Sequence, residues 1–201
     1  MSFEVKYYHE FFLVLKRLFS TLKFKKVLYP GCGVDITPLL ALPYTNPPFL
    51  VFLDINKKLV RTLKEAYKSL NQNKLNSVDF IVERFEDHSS HYDLVIFHGF
   101  KRFENLNCDY LLYFSRFPVE LPYRHKLIAA LDSKGMYKIE DTLIPADEFM
   151  DLTFSYYEML GINTSIREQL VLEKVRKVEK FYTSKGVLFP DIRYKYWLYK
   201  I

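Results

Sequence analysis

The chain has 201 residues, 49% of them apolar, with 29 basic against 24 acidic side chains. That size suits one domain with a full core and leaves no room for a second complete one, and no apolar run approaches the roughly 18 residues that a spanning helix needs. Glu4, Lys6, Glu10, Lys16 and Arg17 interrupt the Phe- and Leu-rich start, and the two cysteines, Cys32 and Cys108, form neither a disulfide framework nor a metal-binding pair, so a cytoplasmic protein with no membrane partner and no metal is expected.

In chain order, Tyr8, Phe11, Phe12, Leu15, Leu18, Phe19 and Leu22 recur at three- and four-residue spacing and predict an amphipathic helix over residues 7–22. Lys26-Val27-Leu28-Tyr29 predicts a strand, cut off by Pro30-Gly31-Cys32-Gly33, where two glycines allow a tight turn. Asp35 or Thr37 caps the next helix, Pro38 suits its first turn, and Leu39, Leu40 and Leu42 continue it. Phe49 to Leu53 is short, continuous and apolar, as in a strand buried on both faces of a parallel sheet. It ends in Asp54, and Asn56 caps a helix carrying Leu59, Val60, Leu63, Tyr67 and Leu70.

Further strands are predicted at Val78 to Glu83 and Tyr92 to His98, then helices at Cys108 to Phe117 and His125 to Leu131, a turn at Ser133-Lys134-Gly135 and a strand at Met136 to Glu140. A helix is expected from Ala146 to Leu160, with Gly161 as its stop. Residues 170–183 read as a helix or as a segment ending in a strand at 178–182, and Arg193 to Ile201 reads as a strand that closes an antiparallel pair. The predicted fold class is α/β, a doubly wound, mostly parallel sheet with helices on both faces and a C-terminal antiparallel hairpin. One domain is expected over 1–201: an N-terminal helix in 1–25, a ligand-binding core over 26–141, and C-terminal helices and strands over 142–201.

Open parallel sheets bind ligands at the carboxyl ends of their strands, where the strand order reverses. Gly31 and Gly33 allow close backbone approach there, and Asp54, at the end of the second strand, can accept hydrogen bonds from two ribose hydroxyls. Together they describe a nucleoside-containing ligand. His98, at the end of the fourth strand, has an unperturbed pKa near working pH and is the candidate base. His88 and His91 lie near Asp87 without the further ligands a metal needs, and Cys32 has no base beside it.

Val27-Leu28-Tyr29-Pro30-Gly31-Cys32-Gly33 resembles the first motif of class I S-adenosylmethionine-dependent methyltransferases, and Phe52-Leu53-Asp54 resembles their second. Val82 to Asp87 resembles the segment beside the adenine, and Tyr92-Asp93-Leu94-Val95-Ile96 the strand leading to the catalytic loop, so the likeness covers roughly residues 25–140. The resemblance implies S-adenosylmethionine as cofactor and S-adenosylhomocysteine as product. It implies contacts at Pro30, Gly31, Cys32, Gly33, Asp35, Asp54, Ile55, Phe85 and Glu86, with His98 as base. Tyr29 and Pro30 stand where the family carries an acidic residue ahead of the glycine turn, and Arg84 stands near another acidic position, which leaves Glu83, Glu86 or Asp87 to replace it. A dinucleotide fingerprint would need a third glycine where Ile36 stands, so a nicotinamide-dependent enzyme is the more distant reading.

Basic residues are concentrated at 1–26, with six against two acidic, and at 167–201, with nine against four. An anionic partner such as RNA or DNA would be held by such ends, and a merely solvated surface is the alternative. The rival to an enzyme is therefore an inactive methyltransferase-like protein that holds a nucleic acid or protein partner. Substrate choice would rest on the N-terminal helix and the segments 99–125 and 141–170.

Overall fold

The computed structural model describes residues 3–70, 78–98, 106–115, 121–122, 124–132, 135–138 and 195–201. The first element is helix α1 (Phe3–Thr21), whose predicted stripe turns Phe11, Leu15, Leu18 and Phe19 inward while Tyr8 stays exposed; Val14, outside that stripe, is buried with them. Its polar side is fastened as well: the Arg17 guanidinium donates to the Asp132 carbonyl oxygen at 2.9 Å.

Strands β1 (Lys26–Pro30), β2 (Phe49–Asp54), β3 (Val78–Val82) and β4 (Tyr92–His98) fall where their apolar runs predict. Along each, alternate residues serve opposite faces. Val27, Tyr29, Leu50, Phe52, Leu94 and Ile96 face α1, whereas Leu28, Val51, Leu53, Val95 and Phe97 belong to the core on the other side. Asp93 takes the backbone N–H groups of both Lys25 and Lys26 on its Oδ2, which pins the start of β1 to that of β4.

Helix α2 (Thr37–Leu40) is a single turn, shorter than the run to Leu42 predicts. Ala41 and Leu42 are still buried, but their N–H groups close on Thr37 and Leu39 as a frayed cap ahead of Pro43, which cannot continue a helix. Helix α3 (Lys57–Leu70) starts as predicted at Asn56, whose Oδ1 accepts the N–H groups of Lys58 and Leu59 at 3.0 and 3.3 Å. It buries Val60, Leu63 and Tyr67, and the Tyr67 ring leans on Phe80 at 5.5 Å. Asn56→Ala is expected to cost about 1 kcal/mol, read as a lowered urea midpoint with an unchanged slope. An unchanged midpoint would mean the cap contributes nothing.

Two predicted helices are strands. β5 (Cys108–Ser115) and β6 (Lys126–Leu131) stand in place of the helices expected at 108–117 and 125–131. In β5, Leu111 and Tyr113 enter one core while Leu112 enters the other, so burial on both faces erases the alternation that marks a strand. In β6 a register shift between Leu127 and Ala129 breaks the parity, and Leu-Ile-Ala-Ala-Leu taken alone favours a helix. Sheet pairing overrides that local preference.

Asp132 closes the turn after β6, donating its N–H to the Gly135 carbonyl oxygen at 3.0 Å and accepting the Gly135 N–H on Oδ1 at 2.8 Å. β7 (Met136–Lys138) follows, and β8 (Lys195–Lys200) lies within the strand predicted at Arg193 to Ile201. Among the described residues the sheet has eight strands, in the order β3-β2-β1-β4-β5-β8-β6-β7. β1 to β5 are parallel, and β8 is antiparallel to both β5 and β6, so β6 runs with the parallel set and β7 and β8 run against it. This is the α/β, mostly parallel architecture with an antiparallel C-terminal strand that the resemblance to class I methyltransferases implies, and the α-helices among the described residues all pack on one of its faces. The helix expected at 146–160 and the strand at 178–182 lie outside the described residues.

α1, α2 and α3 all contribute to one core, where Phe11 stacks on Tyr196 at 5.3 Å and Phe52 on Phe80 at 5.4 Å. The core on the opposite face is as dry: Leu111, Leu127, Trp197 and Tyr199 are all 0% exposed. Among the described residues, no helix is long and apolar enough to cross a membrane.

Candidate functional site

The strand order places the reversal at β1, because the chain winds outward through β2 and β3 and then returns to lay β4 on the other side of β1. The crevice beyond the carboxyl ends of β1 and β2 is where such a sheet binds ligands. The glycine turn lies there. Gly31 and Gly33 have φ of 63° and 54°, in the left-handed region that glycine adopts without strain. A Cβ on Gly33 would meet nothing within 4 Å, so the backbone faces open space.

Two carboxylates set the shape of this turn. Asp54 Oδ2 accepts the Gly33 N–H at 2.9 Å, and Oδ1 accepts the Asn56 N–H at 2.8 Å. Asp35 accepts the Tyr29 hydroxyl on Oδ2 at 2.8 Å and the Thr37 N–H on Oδ1 at 2.9 Å. Backbone bonds from Cys32 N to Leu53 O and from Asp35 N to Cys32 O complete the frame. Tyr29 is a part of the site that sequence reasoning missed. Its place in β1, on the same face as Val27, was the available signal that its hydroxyl reaches the start of α2.

Charge in the turn is negative. Burial first, and then the neighbouring Asp54 carboxylate, push the Cys32 thiol up to about 12, so at neutral pH it is a protonated, buried group without nucleophilic character. The same field favours a cation in the crevice over an anion.

Asp54 retains acceptor capacity, because each carboxylate oxygen offers about two lone-pair directions and the protein uses one on each. Around it, Val34, Ile55 and Val82 are apolar and exposed, at 54%, 68% and 48%, an edge suited to a flat ring. Val82 lies directly opposite Asp54 in the register of β2 and β3, and the Glu83 N–H donates to the Asp54 carbonyl oxygen at 3.3 Å. Pro30, Gly31, Cys32, Gly33, Asp35, Asp54 and Ile55 are therefore brought together.

The other expected residues lie apart from this group or outside it. Phe85 opens a 3-10 turn, Phe85–Asp87, and its ring meets Phe97 edge to face at 5.0 Å, half-buried against the second core. Glu86 is exposed and sits 3.7 Å from the Arg84 guanidinium. Glu83, weighed as a replacement for the missing acidic residue, is engaged by His88 at 2.7 Å. His91 turns instead to Asp109 at 3.3 Å, so the two histidines do not converge. His98 ends β4 opposite Phe114, and its side chain lies outside what the structure describes.

No family model and no curated protein matches the chain. Solved structures do resemble it. One described as StiE O-MT residues 961–1257 is 13% identical, with a TM-score of 0.49 over 92% of this chain and 72% of that one. The N-methyltransferase NodS from Bradyrhizobium japonicum WM9 is 14% identical, with a TM-score of 0.42 over 56% of this chain and 68% of its own. The PH0226 protein from Pyrococcus horikoshii OT3 is 25% identical, with a TM-score of 0.39 over 50% of this chain and 54% of its own.

Proposed function

We propose that the chain is a methyltransferase that binds S-adenosylmethionine in the crevice between the glycine turn and Asp54. The observation that carries the reading is the turn itself: two left-handed glycines, one facing open space, clasped to a carboxylate at the end of the neighbouring strand. Gly31 and Gly33 receive the methionine part against bare backbone, and the free lone pairs of Asp54 accept the two ribose hydroxyls. Ile55 and Val82 line the base, with Phe85 and Glu86 on the adjoining segment. The negative turn, made by Asp54 and Asp35, favours a sulfonium. The bound cofactor supplies an activated methyl group, and the protein's part is to hold the acceptor in line with it, with His98 as the base that removes the acceptor's proton.

A nicotinamide dinucleotide suits this turn less well. Its pyrophosphate would meet Asp35 and Asp54, and α2 is a single turn that lacks the aligned peptide dipoles of a long helix. The basic ends of the sequence make a nucleic acid the acceptor class to try first.

Gly33→Ala tests the reading. A Cβ there meets nothing in the free protein, so the variant loses only about 1 kcal/mol from its positive φ. Calorimetric titration with S-adenosylmethionine, S-adenosylhomocysteine and NADH is expected to give micromolar binding of the first two by the native chain. A loss of about tenfold or more is expected in the variant, because the added methyl group occupies the ligand's line of approach. Equal affinity in both proteins, or binding of NADH alone, would overturn the assignment.

A further inference from the structure

The connection from β3 to β4, residues 83–91, is too short for a packed helix and holds only the Phe85–Asp87 turn. It is secured instead by three polar side chains. His88 Nδ1 lies 2.7 Å from Glu83 Oε2, and Nε2 lies 2.6 Å from the Tyr92 hydroxyl. The His88 side chain is only 9% exposed, and Tyr92 2%. An ionised carboxylate only accepts, so Nδ1 donates to Glu83; in the neutral ring Nε2 is then the acceptor, and the tyrosine hydroxyl donates to it.

An acid, an imidazole and a hydroxyl in this order can also serve as a nucleophilic relay, but the hydroxyl here has no access to a substrate. Tyr92 begins β4 inside the second core, with the Lys26 ammonium 4.4 Å from its ring centroid. What the relay can do is hold shape. Glu83 is one residue beyond Val82, which pairs with Asp54, and its own N–H is bonded to the Asp54 carbonyl oxygen. The bridge therefore ties the segment bordering Asp54 to a fixed point at the start of β4, and Phe85 on Phe97 closes the other side.

We infer that His88 is a positioning residue for the nucleoside site: by bridging Glu83 and Tyr92 it holds segment 83–87 beside Asp54 in the shape that receives the base. This rests on the reading of that crevice as a nucleoside pocket. Glutamine is the conservative replacement, because its amide presents one donor and one acceptor at a spacing like that of the imidazole nitrogens. Tyr92→Phe removes only the hydroxyl and keeps the ring in the core.

The experiment is titration with S-adenosylhomocysteine of the full chain and of His88→Ala, Tyr92→Phe and His88→Gln, each checked for cooperative unfolding, together with imidazole-tuned proton–nitrogen NMR of the native protein. His88→Ala and Tyr92→Phe are expected to bind about tenfold more weakly, with His88→Gln within about threefold of native. The spectrum is expected to show His88 as the Nδ1–H tautomer. Native-like affinity in the alanine and phenylalanine variants, or a loss that glutamine does not rescue, overturns the positioning role while leaving the pocket assignment intact. An Nε2–H tautomer overturns the wiring. Failure of the native chain to bind overturns the pocket assignment and this inference together.

Discussion

Asp54→Ala is expected to abolish nucleoside binding and to loosen the fold around it, because one carboxylate does both tasks. Its Oδ2 closes the turn on Gly33 and its Oδ1 fixes Asn56 at the head of α3. Charge-assisted bonds of this kind contribute about 1.5–3 kcal/mol each, less where water can replace the lost partner, so a stability loss of about 2 kcal/mol is expected. Losing both ribose acceptors adds a drop in affinity of about 100-fold or more for S-adenosylhomocysteine. Asp54→Asn is the sharper variant, since its NH2 must face either the Gly33 or the Asn56 N–H. Urea unfolding measures the first effect and calorimetry the second. A variant as stable as the native chain would show that the carboxylate does not hold the turn, and one that binds as tightly would remove the ribose from it.

The second large effect is a loss of stability in alkali. Burial, followed by the neighbouring acidic charge, pushes Cys32 and Cys108 up to about 12 from an ordinary 9.0, and burial leads in raising Tyr92 and Tyr113 to about 12 from 10.0. All four are neutral when protonated. Between their ordinary and folded values the unfolded chain has released protons that the folded chain still holds, so stability falls as pH rises. The protection is complete below pH 9 and lost toward 12. Each group costs about 1.4 kcal/mol per pH unit above its ordinary value, two units for each thiol and one for each phenol by pH 11, so on the order of 8 kcal/mol disappears between pH 9 and 11, comparable to the whole stability of many domains. Trp197, the single tryptophan and fully buried, reports the unfolding, with circular dichroism as control. A urea midpoint constant from pH 8 to 10.5 would contradict this account, and Cys108→Ala should flatten the slope by that residue's share.

The parallel half of the sheet was legible because each strand and helix there carries its own punctuation. Pro30-Gly31 ends β1, Asn56 opens α3, the run 49–53 lies between Pro47-Pro48 and Asp54, and the run 94–97 lies between Asp93 and His98. β5 and β6 lack such marks. Tyr110 to Phe114 is apolar on both faces, and β6 owes its conformation to β8, a partner more than sixty positions away in the chain. No local pattern carries that information.

The site divides in the same way. Gly31, Gly33 and Asp54 stand out by residue type and spacing, and the structure joins Gly33 to Asp54 by a hydrogen bond, with Gly31 in the same turn. Asp35, expected from sequence as a helix cap and a cofactor contact, bonds Tyr29 and Thr37 within the turn. Glu86 turns to Arg84, and His88, set aside as a loop histidine, bridges two elements. These differences arise from side-chain direction and from partners brought together only by the fold.

The placement of β8 between β5 and β6 makes the sheet depend on the order in which the chain is synthesised. β6 and β7 leave the ribosome before residues 195–200, which among the described residues form the only strand that joins them to the rest of the sheet. Until those residues emerge, the β6–β7 hairpin has an open edge and no place in the core, exposed to chaperones and to other nascent chains. A stop codon just ahead of residue 195 would remove β8 and, with it, the pairing through which β6 and β7 are held to β5.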